Sequence, residues 1–350
     1  FDGGKTEEKP FTVVGGQALT ETAVTDLEIY GTDNKTVTFS DATKTAIKGN
    51  LATVTMNGSA ITGCSYADGI LTLANFGSVT GETEFVATFE EKSGDIVTYI
   101  TTVNFKAIVI TRIISDKTAL DEVFHPQSGN PDLSGYYVLD ATIDYNGVWN
   151  SVGGNPDSGT PFSGTFDGRG NTIKGVTIGG ADSGFFTRIT GTFKNVVFTD
   201  AVFGGDDVVA LFGGFITLNN YGTISNIYWE GVMKNYGAEW GPTCVASIIA
   251  SRCAYDATIS DCVVVVTSCE NMKNFSGGVG QNNGDGSNIR NVVVIGVTGI
   301  VDTSGTKNSE YASSDAFKTA NPNFTLDGWD TSFWTVENGL PIPKTLATDV

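Results

Sequence analysis

Five heptads in the second half of the chain are near copies of one another: Thr172–Ile178, Thr192–Phe198, Thr223–Trp229, Thr258–Val264 and Asn288–Val294. Their starts lie 20, 31, 35 and 30 residues apart by subtraction. In each heptad the second, fifth and seventh positions are apolar, as in Ile173/Val176/Ile178 and Ile224/Ile227/Trp229. The fourth is Gly175, Asn195, Asn226, Asp261 or Asn291, a turn-forming residue at the same place each time. An internal repeat of this length predicts a stacked solenoid, because one unit cannot bury its apolar face alone. The fourth position predicts a bend in each pass, with side-chain amides able to hydrogen-bond from one pass to the next. A second repeated half accompanies the first, in Ser183-Gly184-Phe185-Phe186, Val209–Gly213, Val245–Ala250 and Ser276–Gly280.

Residues 11–107 read differently. Short β-branched and aromatic runs, such as Glu84–Phe89 and Val97–Phe105, are punctuated by Asn57-Gly58, Asp68-Gly69 and Gly94-Asp95. This spacing predicts an antiparallel sandwich of about seven strands, with a two-residue hairpin at Asn57-Gly58. The segment 1–110 contains no Arg, His or Trp and offers little for catalysis. The boundary falls near 110, giving domains at 1–110 and 111–350. Just beyond it, Asp116–Phe124 is the one stretch with helical periodicity; Ser115 is the expected N-cap, and the helix is expected to close the open end of the solenoid core. The tail, with Trp329, Trp334 and Leu340-Pro341-Ile342-Pro343, is expected to plug the last pass.

The formal charge of −19 argues against a nucleic-acid partner, since phosphate binding needs clustered basic residues. Acidic polysaccharides would need a local basic patch. No stretch reaches the roughly 18–20 apolar residues of a membrane span. The opening Phe1–Pro10 is polar and reads either as a tether left by a trimmed secretion signal or as an arbitrary cut. None of the five cysteines has metal-binding spacing, and Cys262 occupies an apolar repeat position. Cys244 could bridge to Cys253 or to Cys269; the sequence leaves the pairing open. No metal or cofactor is expected.

The stretch Phe162–Ile178 followed by Ser183-Gly184-Phe185-Phe186 resembles the "GTFDGNGHTI…GLFG" pattern of GLUG-type β-helix repeats. Ala210-Leu211-Phe212-Gly213 is the nearest later match to the GLFG element, and the likeness extends over about 113–343. The resemblance implies a right-handed parallel β-helix in a secreted or surface-attached bacterial protein, beside an Ig-like β-sandwich. It also implies a role in adhesion or glycan contact. A lipid anchor ahead of Phe1 and an outer-membrane, cell-surface location belong to the same expectation.

β-Helices also carry polysaccharide hydrolases and lyases. Asp206-Asp207 is the only vicinal Asp pair, and paired carboxylates are what glycoside hydrolysis requires. The lone histidine, His125, sits at the end of the expected helix, where a solvent-facing structural role is the simpler reading. The expectation is therefore a non-enzymatic adhesion or glycan-binding protein, with a polysaccharide lyase or hydrolase as the alternative. Partners are an extracellular glycan or a neighbouring surface protein. The binding candidates are aromatics in long inserts, Trp149, Tyr236 and Trp240, weighed against their packing back onto the core.

Overall fold

The computed structural model describes residues 15–21, 28–30, 35–75, 80–180, 182–205, 212–234, 245–254, 256–270, 278–282, 288–297 and 308–347. The chain is mostly β-strand and divides into two compact units, Phe1–Thr111 and Arg112–Val350.

The first unit has nine described strands in two sheets. The larger holds Gly15–Thr20, Glu28–Tyr30, Asn50–Met56, Ser59–Ile61, Gly81–Ser93 and Ile96–Ile110; the smaller holds Lys35–Thr38, Ser65–Ala67 and Ile70–Leu73. Alternating residues of both sheets, among them Val37, Leu71, Phe85, Phe89, Val103 and Phe105, form one buried core. Asn57 and Gly58 have φ of 48° and 79°, as do Asp68 and Gly69 at 51° and 82°; these paired left-handed residues close two-residue hairpins. Two details depart from expectation. Gly15–Thr20 and Glu28–Tyr30 pair parallel to Ile96–Ile110 rather than antiparallel. A short helix, α1 (Asp41–Ala46), starts where the Ser40 side chain accepts from the Thr43 N–H.

In the second unit, successive passes of the chain alternate between two parallel sheets. The main sheet stacks Arg112–Ile114, Tyr136–Leu139, Thr165–Asp167, Thr192–Gly204, Thr223–Lys234, Thr258–Glu270, Ile289–Ile295 and Asn308–Tyr311. The second stacks Phe186–Ile189, Thr217–Asn220, Ala250–Cys253 and Val279–Asn282. Both contribute to a single apolar core. Four of the five heptads superpose in register, so Phe193, Ile224, Ile259 and Ile289 form one column. Val196, Ile227, Cys262 and Val292 form the next.

The first heptad does not join them. Ile173 pairs with Phe198 and Ile178 with Phe203, so this heptad stacks five residues further along the next strand. The partner of Phe193 is instead Phe166. The true pass starts are 165, 192, 223, 258 and 288, spaced 27, 31, 35 and 30 by subtraction. The irregular spacing of 20 was a chance likeness of two apolar strands.

The fourth heptad position is left-handed in every copy, with φ of 66° at Gly175, 58° at Asn195, 55° at Asn226, 56° at Asp261 and 53° at Asn291. Gly, Asn and Asp tolerate that conformation best. Their side chains also connect the passes. Asn195 Nδ2 donates to Asp167 Oδ1 (2.9 Å), Asn226 Nδ2 to Asn195 Oδ1 (2.8 Å) and Asn291 Nδ2 to Asp261 Oδ1 (2.7 Å).

The helix at the start of the unit, α2 (Lys117–Phe124), buries Leu120 and Phe124. Its N-cap is Asp116, one residue later than expected; the carboxylate accepts the Ala119 N–H at 2.8 Å and adds a negative charge at the positive helix end. Phe124 meets Tyr137, Trp149, Phe162, Phe166 and Phe186, which closes this end of the core.

The tail is not a plug. A third helix, α3 (Ser314–Ala320), and the hairpin Trp334–Glu337/Leu340–Pro343 lie along the outer face of the main sheet. They cover the sixth heptad positions Val197, Tyr228, Val263 and Val293 with Phe317, Phe333 and Trp334. The strap runs back over the passes: Gly328 O accepts from Arg290 and Asn291, Trp334 Nε1 donates to Asn226 Oδ1, and Thr345 Oγ1 donates to Gly170 O. Asp330 joins it to the asparagine ladder, accepting from Asn226 Nδ2 at 2.7 Å. Burial works to raise the Asp330 carboxyl, but hydrogen bonds from Ser332 and Asn226 outweigh it and hold the group below its ordinary value. A depressed carboxyl contributes stability above the unfolded-state value of about 3.9, and that contribution is lost as pH falls through the lower folded value. Urea unfolding followed against pH should therefore show Asp330→Asn with a shallower acid loss of stability than the parent chain; an unchanged acid slope would contradict this anchoring role.

Candidate functional site

Two backbone irregularities open a groove on the outer face of the main sheet. Between the Thr192 and Thr223 strands the register slips after Phe198 and Trp229, and Asp200 takes φ of 52°. Between the Thr223 and Thr258 strands it slips again, so that Gly231 pairs with Val266 but Val232 with Ser268, leaving Thr267 as the extra residue. Bulges of this kind re-aim side chains locally. Asp200, Ala201, Val202, Glu230, Gly231, Val232 and Thr267 line a groove of about 250 Å³. Gly231 is required there, because a Cβ would collide with the Ala201 carbonyl oxygen.

The groove is acidic, with Thr267 the one side-chain hydroxyl in its lining and Tyr228 buried behind Glu230. Tyr228 OH donates to Glu230 Oε2 at 2.8 Å, and Thr267 Oγ1 donates to Gly231 O at 2.9 Å. Burial, with the Glu230 charge adding to it, pushes the Tyr228 phenol up, so it serves as a donor throughout the physiological range. Lys174 Nζ stands 3.9 Å from Asp200 Oδ2. Carboxylates beside hydroxyls suit the hydrogen-bonding groups of a sugar; they do not suit an anion.

Just past the groove, Gly204 pairs with Lys234 and Lys234 with Glu270, so three successive strands end at the same level. Lys234 Nζ and Glu270 Oε2 are 3.9 Å apart. Tyr236, Trp240, Cys244 and the Asp206-Asp207 pair belong to the segments that follow these ends and lie outside the described residues.

Trp149 is placed elsewhere and is 1% exposed. Its ring stacks on Phe185 with centroids 4.0 Å apart, and its Nε1 donates to Phe185 O at 2.9 Å. A side chain this large releases more free energy under the helical cap than it would in water, so it packs back on the core and offers no face to a ligand. His125 packs 4.4 Å from the Trp149 ring, and its Nε2 lies 2.7 Å from Asn150 O. Its Nδ1 lies 3.6 Å from Asp121 Oδ1, which also accepts from Tyr145 OH. His125 is thus half-buried and ties α2 to the following loop instead of facing solvent.

Cys253 and Cys269 are free thiols, as is Cys262. Burial raises Cys253 to about 11 and pushes Cys262 higher still, so both remain protonated and inert. Among the described residues no three His, Cys, Asp or Glu side chains converge as metal ligands, and no helix is long and apolar enough to cross a membrane. Asp200, Glu230 and Thr267 were missed in the sequence because a bulge is visible only once the partner strand is known. The segment Ser183-Gly184-Phe185-Phe186 stacks on the residues from Gly213 to Thr217: Ser183 pairs with Gly213 and Phe186 with Thr217, with Phe185 N donating to Phe215 O (2.7 Å) and Phe186 N to Ile216 O (3.0 Å).

No protein-family model matches this chain, and it matches no curated protein and no solved structure. Since Trp149 is a core residue, Trp149→Ala should lower unfolding free energy by about 3–5 kcal/mol. A change below about 1 kcal/mol in chemical denaturation would contradict its burial.

Proposed function

We propose that residues from 111 onward wind as a right-handed parallel β-helix and display a binding surface for an extracellular glycan or a neighbouring surface protein. In this reading the chain is a non-enzymatic adhesion or glycan-binding protein held at the cell surface, by a lipid anchor ahead of Phe1. Residues 1–110 act as an Ig-like sandwich spacer. The in-register parallel pairing across both sheets supports the winding.

The observation that carries the binding role is the alignment of the strand ends Gly204, Lys234 and Glu270 beside the groove of Asp200, Glu230 and Thr267. Inserts that start from adjacent ends of stacked strands gather on one side of a repeat protein. Tyr236 and Trp240 follow Lys234 by two and six residues in the sequence, and the reading assigns the aromatic contacts to that insert. A glycan array probed with the full chain should give specific hits that Trp240→Ala or Tyr236→Ala weakens about tenfold or more, with the thermal midpoint unchanged. An array without hits, or hits indifferent to both changes, would contradict the reading.

A second reading, a β-helix polysaccharide hydrolase or lyase, draws on Asp200 and Glu230 lining one groove. It requires release of reducing or unsaturated ends from a polysaccharide and loss of that release in Glu230→Gln. Release that survives Glu230→Gln would exclude this groove as its site.

A further inference from the structure

Four passes enter the main sheet through one repeated step: Ser163-Gly164-Thr165, Thr190-Gly191-Thr192, Tyr221-Gly222-Thr223 and Asp256-Ala257-Thr258. The step lies at the opposite end of these strands from the inserts considered above. Its threonines pair in register, Thr165 with Thr192, Thr192 with Thr223 and Thr223 with Thr258. The residue after each threonine is fully buried in the core, so the threonines face outward. All four are half-buried, and their hydroxyls meet no partner among the described residues.

The middle residue of the step is pressed against the pass before it. A Cβ on Gly191 would collide with the Gly164 carbonyl oxygen, and one on Gly222 with that of Gly191. In the fourth step the buried Ala257 takes this place. On the far side of this middle residue Ser163, Thr190, Tyr221 and Asp256 are all exposed. Tyr221 is 54% exposed, more than any other described aromatic side chain. Tyr221 thus presents an uncovered ring face beside the threonine column, of the kind that stacks on the C–H face of a sugar.

These features have one period. Adjacent parallel strands are about 4.8 Å apart, so the hydroxyls recur along a line of about 14 Å over four passes. An extended chain of equatorially linked sugars advances by close to this spacing per ring. Each ring carries hydroxyls at its rim and an apolar face of C–H groups. Such a chain can lay one ring on Tyr221 while its neighbours exchange hydrogen bonds with Thr192 and Thr258. Among the described residues the track positions carry no cation; Lys194, two residues beyond Thr192, is paired with Asp167 at 3.3 Å. Asp256 stands at one end, on a chain of net charge −19, so an anionic polymer is disfavoured.

We propose that this track is a second binding site, for an uncharged, extended polysaccharide running along the stacking direction. Tyr221 is its stacking platform and Thr192, Thr223 and Thr258 are its hydroxyl partners. The site shares its ligand class with the glycan-binding reading above but none of its residues.

Titration calorimetry on the full chain with cellobiose, cellotetraose, cellohexaose and hexagalacturonate tests it. Affinity should rise about tenfold or more from cellobiose to cellotetraose and then level off, as the track fills. Tyr221→Ala should weaken cellohexaose binding about tenfold or more, and Thr223→Val, which keeps the shape and removes the hydroxyl, by about threefold or more. Ile96→Ala, at an exposed position of the first unit, should leave cellohexaose binding intact. Both track residues are at least partly exposed, so the unfolding midpoints should match the parent chain. Absence of binding across the neutral series, binding of hexagalacturonate alone, or binding that ignores Tyr221 would each overturn the proposal. Cellohexaose binding that is lost in Trp240→Ala and kept in Tyr221→Ala would refute the track while leaving the insert-borne site standing.

Discussion

The second unit depends on backbone hydrogen bonds between parallel strands held in one register by a left-handed residue in each pass. With the tolerance of Asn195, Asn226, Asp261 and Asn291 for positive φ, these strands bend at the same point, while Gly175 bends its strand at a second point, level with Asp200. The side chains on either side of the bend then fall into columns. A one-residue slip would move every buried Phe, Ile and Val to the outer face. The asparagine amides add a direct connection between passes, and because they sit at the bend they report register as well as stabilising it.

The strap depends on the same bend. The amide ladder is interrupted between Asn226 and Asp261, and there Asp330 enters: its carboxylate takes the Asn226 amide, and its backbone N–H reaches Asp261. Burial raises the Asp261 carboxyl, and the Asn291 amide and the Arg290 charge work against that rise. The two acids therefore respond to pH with opposite sign. Protonation weakens the hold of Asp330, whereas the raised Asp261 prefers its neutral form in the folded chain and gains on acidification. Trp334 completes the junction by donating to Asn226 Oδ1. One asparagine thus positions a bend, a pass and the covering segment together.

Much of this was legible in the sequence. The apolar second, fifth and seventh positions all became buried columns, and the Asn57-Gly58 hairpin followed from its turn chemistry. What failed has physical causes. The Thr172 heptad looks like its neighbours because any strand facing a core on one side has that pattern; only the length of the preceding turn at Asp167–Asn171 reveals that it belongs five residues further on. The strap left a trace that was overlooked. The sixth heptad positions Val197, Tyr228, Val263 and Val293 are apolar where a solvent-facing strand would be polar. Trp149 stayed open between a binding face and packing back onto the core, because nothing in the sequence shows its closeness to Phe124 of α2. The bulges that shape the groove have no single-strand signature, and α1 and α3 are too short to show helical periodicity.

The central claim is the register, and engineered cysteine pairs test it most directly. Lys194 and Ser225 are paired partners on outward-facing positions, which places their Cα atoms about 4.8 Å apart, within disulfide reach. Lys194 and Thr223 are offset by two residues and lie beyond about 7 Å. Under mild oxidation the Lys194→Cys/Ser225→Cys chain should form the intramolecular bridge, identified by peptide mapping, and the Lys194→Cys/Thr223→Cys chain should not. Preferential bridging of the offset pair, or none in the paired one, would contradict the stacked arrangement.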